Sequence, residues 1–212
     1  MRLILASTSP RRKDLLALLR LPFDVVGPQF DERIHADMPP EAQARTFALE
    51  KARSCLRRQP DSLVVGSDTL IAVGEIIFGK PTDRAQANAM LRRLRGREHR
   101  IYTAVAVCNG ASDVQDVAVD SVRVWMKPFS DAELAVYLEG DEWQGKAGAY
   151  SIQGRGGSLI ERIEGDYTSA VGLPLRLTAS LLAKHGQPAP VDVEQLYREK
   201  PYPNWSAFSR AG

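Results

Sequence analysis

Cysteine, net charge and long apolar runs are all scarce in this sequence, and each scarcity removes a class of protein. The two cysteines, Cys55 and Cys108, lie far apart and match neither a zinc spacing nor a redox pair. They read as buried free thiols of a reducing compartment, so a cytoplasmic protein is expected. No stretch approaches the roughly 20 apolar residues needed to cross a bilayer. The opening Met1–Ala6 has too short an apolar stretch for a signal peptide, and Arg11, Arg12 and Lys13 follow at once. No membrane partner is therefore expected. A net charge of +2 is too small for general nucleic-acid binding, yet it leaves room for a local basic pocket. The histidines, His35, His99 and His185, are scattered and give neither a zinc spacing nor a Ser-His-Asp order. The Gly-x-x-x-x-Gly-Lys-Ser/Thr spacing of a P-loop is missing as well.

What is present is an ordinary globular composition, 44% hydrophobic and 25% charged, in a 212-residue chain that suits one large domain or two small lobes. Strand-like and helix-like segments alternate from the first residue. Leu3–Ala6 reads as a strand. Ser9 and Pro10 suit a helix N-cap and first helical position, and Leu15, Leu16 and Leu19 share one face. Phe23–Val26 reads as a second strand. Pro39-Pro40 opens a helix to about Arg58, with Phe47, Leu49, Ala52 and Cys55 as candidates for burial. Leu63–Gly66 reads as a buried strand that ends at Ser67-Asp68-Thr69, followed by a hairpin about Gly74. Thr82 is expected to cap a helix that stops at Gly96. Strands over 99–108 and 114–126 precede a capping box at Ser130–Glu133. Residues 145–157 form an irregular Gly-rich segment, 159–163 a strand and 173–184 an apolar helix. The Pro- and aromatic-rich stretch from Gln187 lacks periodicity. It is expected to be extended, and it is a candidate for a homodimer contact. The whole pattern predicts an α/β fold with a mixed sheet.

Four segments carry residue types suited to phosphate chemistry. In Ser7-Thr8-Ser9-Pro10-Arg11-Arg12-Lys13, three cations occupy the first turn of a helix, where the dipole disfavours each by about 0.3–1 kcal/mol. A bound anion reverses that penalty, because N–H groups, hydroxyls and guanidinium forks converge on its oxygens. A solvated basic turn is the competing reading. Gly66-Ser67-Asp68-Thr69 ends an apolar strand in an acid, at the sheet edge where α/β folds place their sites. Asp68 there holds a metal or activates water, or else it only forms a turn. Phe78-Gly79-Lys80-Pro81 fixes a lysine as a point charge for phosphate, although alone such a segment is more often a surface turn. In 145–157, glycines allow close backbone approach, and Gln153 offers the donor and acceptor that a base edge needs. Taken alone, Glu50-Lys51 reads as a solvated ionic helix face and Asp31-Glu32 as exposed loop carboxylates.

In order, Ala6–Arg12, Glu50-Lys51-Ala52, Gly66–Thr69, Gly79-Lys80-Pro81, Lys146–Gly154 and Val171–Leu175 resemble the motif set of the Maf family of nucleoside triphosphate pyrophosphatases. The resemblance implies a two-lobed Maf/ITPase-like α/β fold, an elongated mixed sheet flanked by helices around a deep substrate cleft. It implies a pyrophosphatase domain over residues 1–186 and a C-terminal tail over 187–212. It also implies hydrolysis of a nucleoside triphosphate to the monophosphate and pyrophosphate, with Mg²⁺ or Mn²⁺. By motif, Asp68 matches the catalytic acid and a metal ligand, and Glu32 an acidic residue near the metal. Ser7, Arg12, Lys51 and Lys80 match triphosphate-binding positions. Arg11, Thr69 and Gln153 match a branch acting on dTTP, UTP and modified pyrimidine nucleotides. A sister branch acting on 7-methyl-GTP has an aromatic residue, Gln and Glu at those positions. The chemistry agrees, because uracil and thymine present an N3–H donor beside a carbonyl, which an amide matches. One departure stands out: many members of the dTTP/UTP branch have Asp where this chain has Gly145, with Asp141 and Glu142 nearby as substitutes. The competing function is a non-catalytic regulator of septum formation that binds nucleotide or nucleic acid. Carboxylates beside the cations favour catalysis.

Overall fold

The strands alternate their side chains between two apolar layers, and this alternation sets the architecture. The structure is a computed structural model that describes residues 1–35, 37–112 and 114–208. In chain order the elements are β1 (Arg2–Ala6), α1 (Pro10–Ala17), β2 (Asp24–Val26), α2 (Pro40–Leu56), β3 (Ser62–Val73), β4 (Ile76–Phe78), α3 (Arg84–Leu94), β5 (Glu98–Asn109) and β6 (Val114–Met126). There follow α4 (Asp131–Leu138), two 3₁₀ turns (Ala147–Ala149 and Arg155–Leu159), β7 (Ile160–Glu164), α5 (Tyr167–Val171), α6 (Leu175–Lys184), α7 (Val193–Glu199) and α8 (Trp205–Phe208).

The sheet is mixed, in the order β2-β1-β3-β5-β6-β7, with β4 paired to β3. β1 pairs parallel with β2 and β3, and the remaining pairs are antiparallel. Successive residues of a strand point to opposite faces. Leu3 and Leu5 therefore join a larger core with Leu15, Leu91, Leu134 and Leu182, from α1, α3, α4 and α6. Ile4 and Ala6 join a smaller core with Ala44, Phe47, Ala48, Ala52 and Cys55 of α2. Helices thus cover both faces, which is why the parallel strands read as unbroken apolar runs.

Three elements differ from the sequence-based expectation, and one short helix is added. β3 does not stop at Asp68. β1 ends opposite Gly66, but β5 goes on pairing through Ala72, and Ser67, Asp68 and Thr69 face Val105, Ala104 and Thr103. The α3 cap is Asp83, whose side chain accepts from the Gln86 N–H, and Thr82 instead donates its own N–H to the Gln86 side chain. The apolar helix expected over 173–184 is present as α6, and the short α5 before it, ended by Gly172 at φ 128°, was not expected. The segment from Gln187 is not extended. It forms α7 and α8, and Trp205 is buried against the body of the same chain. Among the described residues, no helix is long and apolar enough to cross a membrane.

Candidate active site

The floor of the site depends on how closely α2 approaches β3. A Cβ built on Gly66 would lie 2.3 Å from the Ala48 carbonyl oxygen and 2.8 Å from the Ala52 nitrogen. Only glycine allows that approach, and it brings Lys51 of α2 over Asp68 of β3. Lys51 is 5% exposed, with Nζ 2.5 Å from Asp68 Oδ1 and 2.6 Å from Glu32 Oε1. Lys80, in the loop after β4, reaches the other Glu32 oxygen at 3.6 Å. The two ionic pairs that read as exposed are thus split. Glu50 pairs outward with Arg53 and Asp31 with Arg33, while Lys51 and Glu32 turn inward. Burial raises the Glu32 pKa, but Lys51, Lys80 and Arg12 together hold it below the usual carboxylate range. Asp68 Oδ2 is buried with no hydrogen-bond partner among the described residues.

The wall above this floor comes from the β1–α1 junction. The Ser7 hydroxyl accepts from the Ser9 N–H at 3.1 Å, which folds the junction back and leaves the start of α1 uncapped by Ser9. No acidic residue lies in the first turn of α1. Arg11 and Arg12 line the cavity, whereas Lys13 faces solvent. Arg12 is held from both ends: Nε donates to the Gly172 carbonyl at 2.9 Å and Nη2 to Thr69 Oγ1 at 3.1 Å. The Thr103 hydroxyl backs Thr69 at 3.1 Å and donates to the Ser169 carbonyl at 2.8 Å. Ser67 also donates to the Gly172 carbonyl, at 3.0 Å. Burial lowers the Arg12 pKa, opposed by Asp68 and Glu32. Burial and then Arg12 lower that of Arg11, whose Nε is buried without a partner among the described residues. Guanidinium groups stay charged through such shifts, so two desolvated cations face the cavity.

The cavity holds about 540 Å³, within the range of small-molecule sites. Ser7, Arg11, Arg12, Glu32, Lys51, Asp68, Thr69, Lys80 and Gln153 all line it, so the positions that the motif resemblance marks as site residues are gathered there. Three contributions were not singled out. Lys146 also lines the cavity, and its pKa is lowered by burial and then by Arg11. The Gly172 carbonyl and the Thr103 hydroxyl hold Arg12 and Thr69 from behind. Lys146 and Gly172 fall inside the quoted motifs, but nothing in the local sequence marks Thr103. The segment carrying Gln153 is tied to the frame by Tyr150, whose hydroxyl lies 2.7 Å from His99 Nε2, and by the Gly148 N–H, which donates to the Gly79 carbonyl at 3.1 Å. Gly145 lines the cavity at φ 65°, with no atom within 4 Å of a Cβ built there. Neither Asp141 nor Glu142 takes its place. Glu142 accepts from the N–H groups of Arg155 and Gly156 at 2.7 and 2.8 Å, and Asp141 accepts from Gln144 at 3.0 Å.

Among the described residues, no group of three or more His, Cys, Asp or Glu forms a ready cation site. Asp68 and Glu32 nevertheless fit a hard divalent cation. Both are oxygen donors, and Asp68 Oδ2 is a buried acceptor with no partner among the described residues. A two-carboxylate set suits Mg²⁺, which completes its shell with water and phosphate oxygens.

An α/β protein whose cavity combines converging cations with a carboxylate floor is of the class that handles nucleotide phosphate chains. The chain belongs to the family described as Maf-like protein, whose model matches residues 2–185. It is similar to the dTTP/UTP pyrophosphatase of Symbiobacterium thermophilum, 46% identical over 187 residues that cover 88% of this chain and 95% of that one. It is likewise similar to the dTTP/UTP pyrophosphatase of Bacillus velezensis, 41% identical over 85% of this chain and 95% of the other. That of Myxococcus xanthus is 43% identical over 89% and 94%.

Proposed function

We propose that this protein hydrolyses dTTP, UTP and modified pyrimidine nucleoside triphosphates to the monophosphate and pyrophosphate, with Mg²⁺ or Mn²⁺. The observation that carries the reading is the buried Asp68 carboxylate, bound to Lys51 through one oxygen and with the other unpartnered among the described residues, inside a cavity walled by Arg11 and Arg12. A protein that only bound polyphosphate, without a metal, would gain nothing from a carboxylate facing it. The names of the similar proteins support the substrate class.

In this reading a water attacks the α-phosphorus, its proton passes to Asp68, and the bond to the bridging oxygen breaks to release pyrophosphate. Arg12, Lys51 and Lys80 stabilise the charge that develops on the leaving group, and Ser7 orients a phosphate oxygen. Glu32 would hold the divalent ion, joined by Asp68 if Asp68 does not itself take the proton, and the ion when bound neutralises phosphate charge. Gln153, Thr69 and Arg11 face the base. Both cysteines are buried free thiols, which supports a cytoplasmic setting.

The test is purified protein with Mg²⁺ or Mn²⁺ and a panel of nucleoside triphosphates. Pyrophosphate release from dTTP and UTP is expected. Orthophosphate release would sink the chemistry, and tight binding without turnover under any metal would favour the non-catalytic regulator.

A further inference from the structure

The family match ends at residue 185, so α7 and α8 lie outside it, yet this segment bonds to the residues on either side of Gln153. We propose that the C-terminal segment is a positioning strap for Gln153, with Asn204 as its contact point, and that it sets base selectivity. This rests on the pyrimidine-nucleotide reading above.

Asn204 Nδ2 donates to the carbonyls of Ile152 and Gly154, at 3.1 and 3.3 Å. These are the two residues flanking Gln153. One amide therefore brackets the backbone that aims the Gln153 side chain. Asn204 sits at φ 60°, a left-handed conformation that Asn tolerates better than most residues. The approach is close: a Cβ built on Gly157 would lie 3.2 Å from Asn204 Nδ2 and 3.5 Å from the Phe208 ring.

The strap is anchored next door. Trp205 is 2% exposed, stacked on Tyr167 at 5.8 Å between ring centroids and edge-on to Tyr197 at 4.9 Å. The Tyr167 hydroxyl donates to the Pro203 carbonyl. On α7, the Tyr197 hydroxyl donates to Asp166 Oδ2 at 2.5 Å. Asp166 caps α5, and Gly172 at the end of α5 holds Arg12. The strap thus grips the base-facing segment at Asn204 and the phosphate wall through Asp166. Tyr202 lies near enough to Arg11 to feel its charge. A segment that only stabilised the fold would have no reason to bracket Gln153.

The test compares full-length Asn204→Asp and Asn204→Gly with the unaltered protein. Both replacements tolerate the left-handed backbone. Asp sets a carboxylate against two carbonyls, and Gly removes the donor. Ser206→Ala, on the exposed side of the same turn, is the control. Two readouts are needed: kcat and KM for UTP and GTP, and amide hydrogen exchange over 151–157 without nucleotide. Asn204→Asp is expected to lower the UTP-over-GTP ratio of kcat/KM by about tenfold, mostly through KM for UTP. Exchange over 151–157 is expected to rise by about tenfold, because a held segment opens less often. Ser206→Ala should change neither. Unchanged selectivity and exchange in a folded Asn204→Asp would overturn the strap, as would lost thermal stability with selectivity intact. If the unaltered protein hydrolyses neither dTTP nor UTP, the pyrimidine reading fails, and the exchange measurement alone decides whether Asn204 holds the segment.

Discussion

At Asp68, Lys51 occupies one carboxylate oxygen, and the other has no partner among the described residues. Asp68→Asn keeps an oxygen for Lys51 but removes the base and the charge. Turnover is expected to fall by at least about 100-fold, the lower end of what a general base contributes, with the melting curve little changed. Pyrophosphate release beside thermal unfolding checks this. Removing the cation instead, in Lys51→Met, leaves two carboxylates facing each other without their shared partner. The cost of breaking such a buried pair is about 3–5 kcal/mol, to be read from urea unfolding. His99 supplies a pH prediction. Burial lowers its pKa from 6.5 to about 3, so it is neutral in the fold at neutral pH. Between those values the unfolded chain binds a proton that the folded chain refuses. Stability therefore falls as pH drops below 6.5, by up to about 1.4 kcal/mol per pH unit, and this contribution is flat above it. His99→Gln, which can still bond the Tyr150 hydroxyl, is expected to flatten the slope from pH 6.5 down to about 5 in urea-midpoint titrations.

Among the elements, those governed by near neighbours were legible in the sequence. The capping box at Ser130 and Glu133 needs only four residues, and it forms. The apolar run Leu3–Ala6 was equally plain as a strand. The continuation of β3 past Asp68 was not, because the strand that pairs there, β5, lies some 35 residues away in sequence. Lys51 was opaque for a similar reason: its burial comes from a glycine on a different element. Gly66→Ala would force α2 off β3, since the added methyl would meet two backbone atoms of the helix. A loss of about 1–3 kcal/mol is expected from overpacking. Activity should fall as well, because Lys51 moves with the helix. Unfolding and turnover of the one variant measure both. The tail helices were hidden because seven and four residues cannot show a helical period, and they hold through Trp205 and Tyr197.

Across the molecule, the site is assembled from segments distant in sequence, from Ser7 to Gln153. That is why its motifs, each ambiguous alone, were readable as an ordered set. Thr103 lay outside that set because a threonine in a strand has no local mark. Ligand binding should register on the whole fold. Nucleotide and Mg²⁺ at about 100 times Kd are expected to stabilise Asp68→Asn by about 2.7 kcal/mol if that variant still binds, seen as a raised Tm. Chelating the metal should abolish turnover in the unaltered protein, and adding back Mg²⁺ or Mn²⁺ should restore it.

β3 carries a mechanical consequence. Ten of its 12 residues, Leu63 to Ala72, pair with β5 without interruption, and Asp68 sits mid-span. The molecule has no joint at that point, since bending there would tear the ladder on both sides of the carboxylate. The two ends of the sheet behave as one stiff beam. Any closure around a nucleotide falls to the pieces hung from it, residues 27–35 with Glu32 and the segment 145–157 with Gln153, while Asp68 on β3 stays where folding left it.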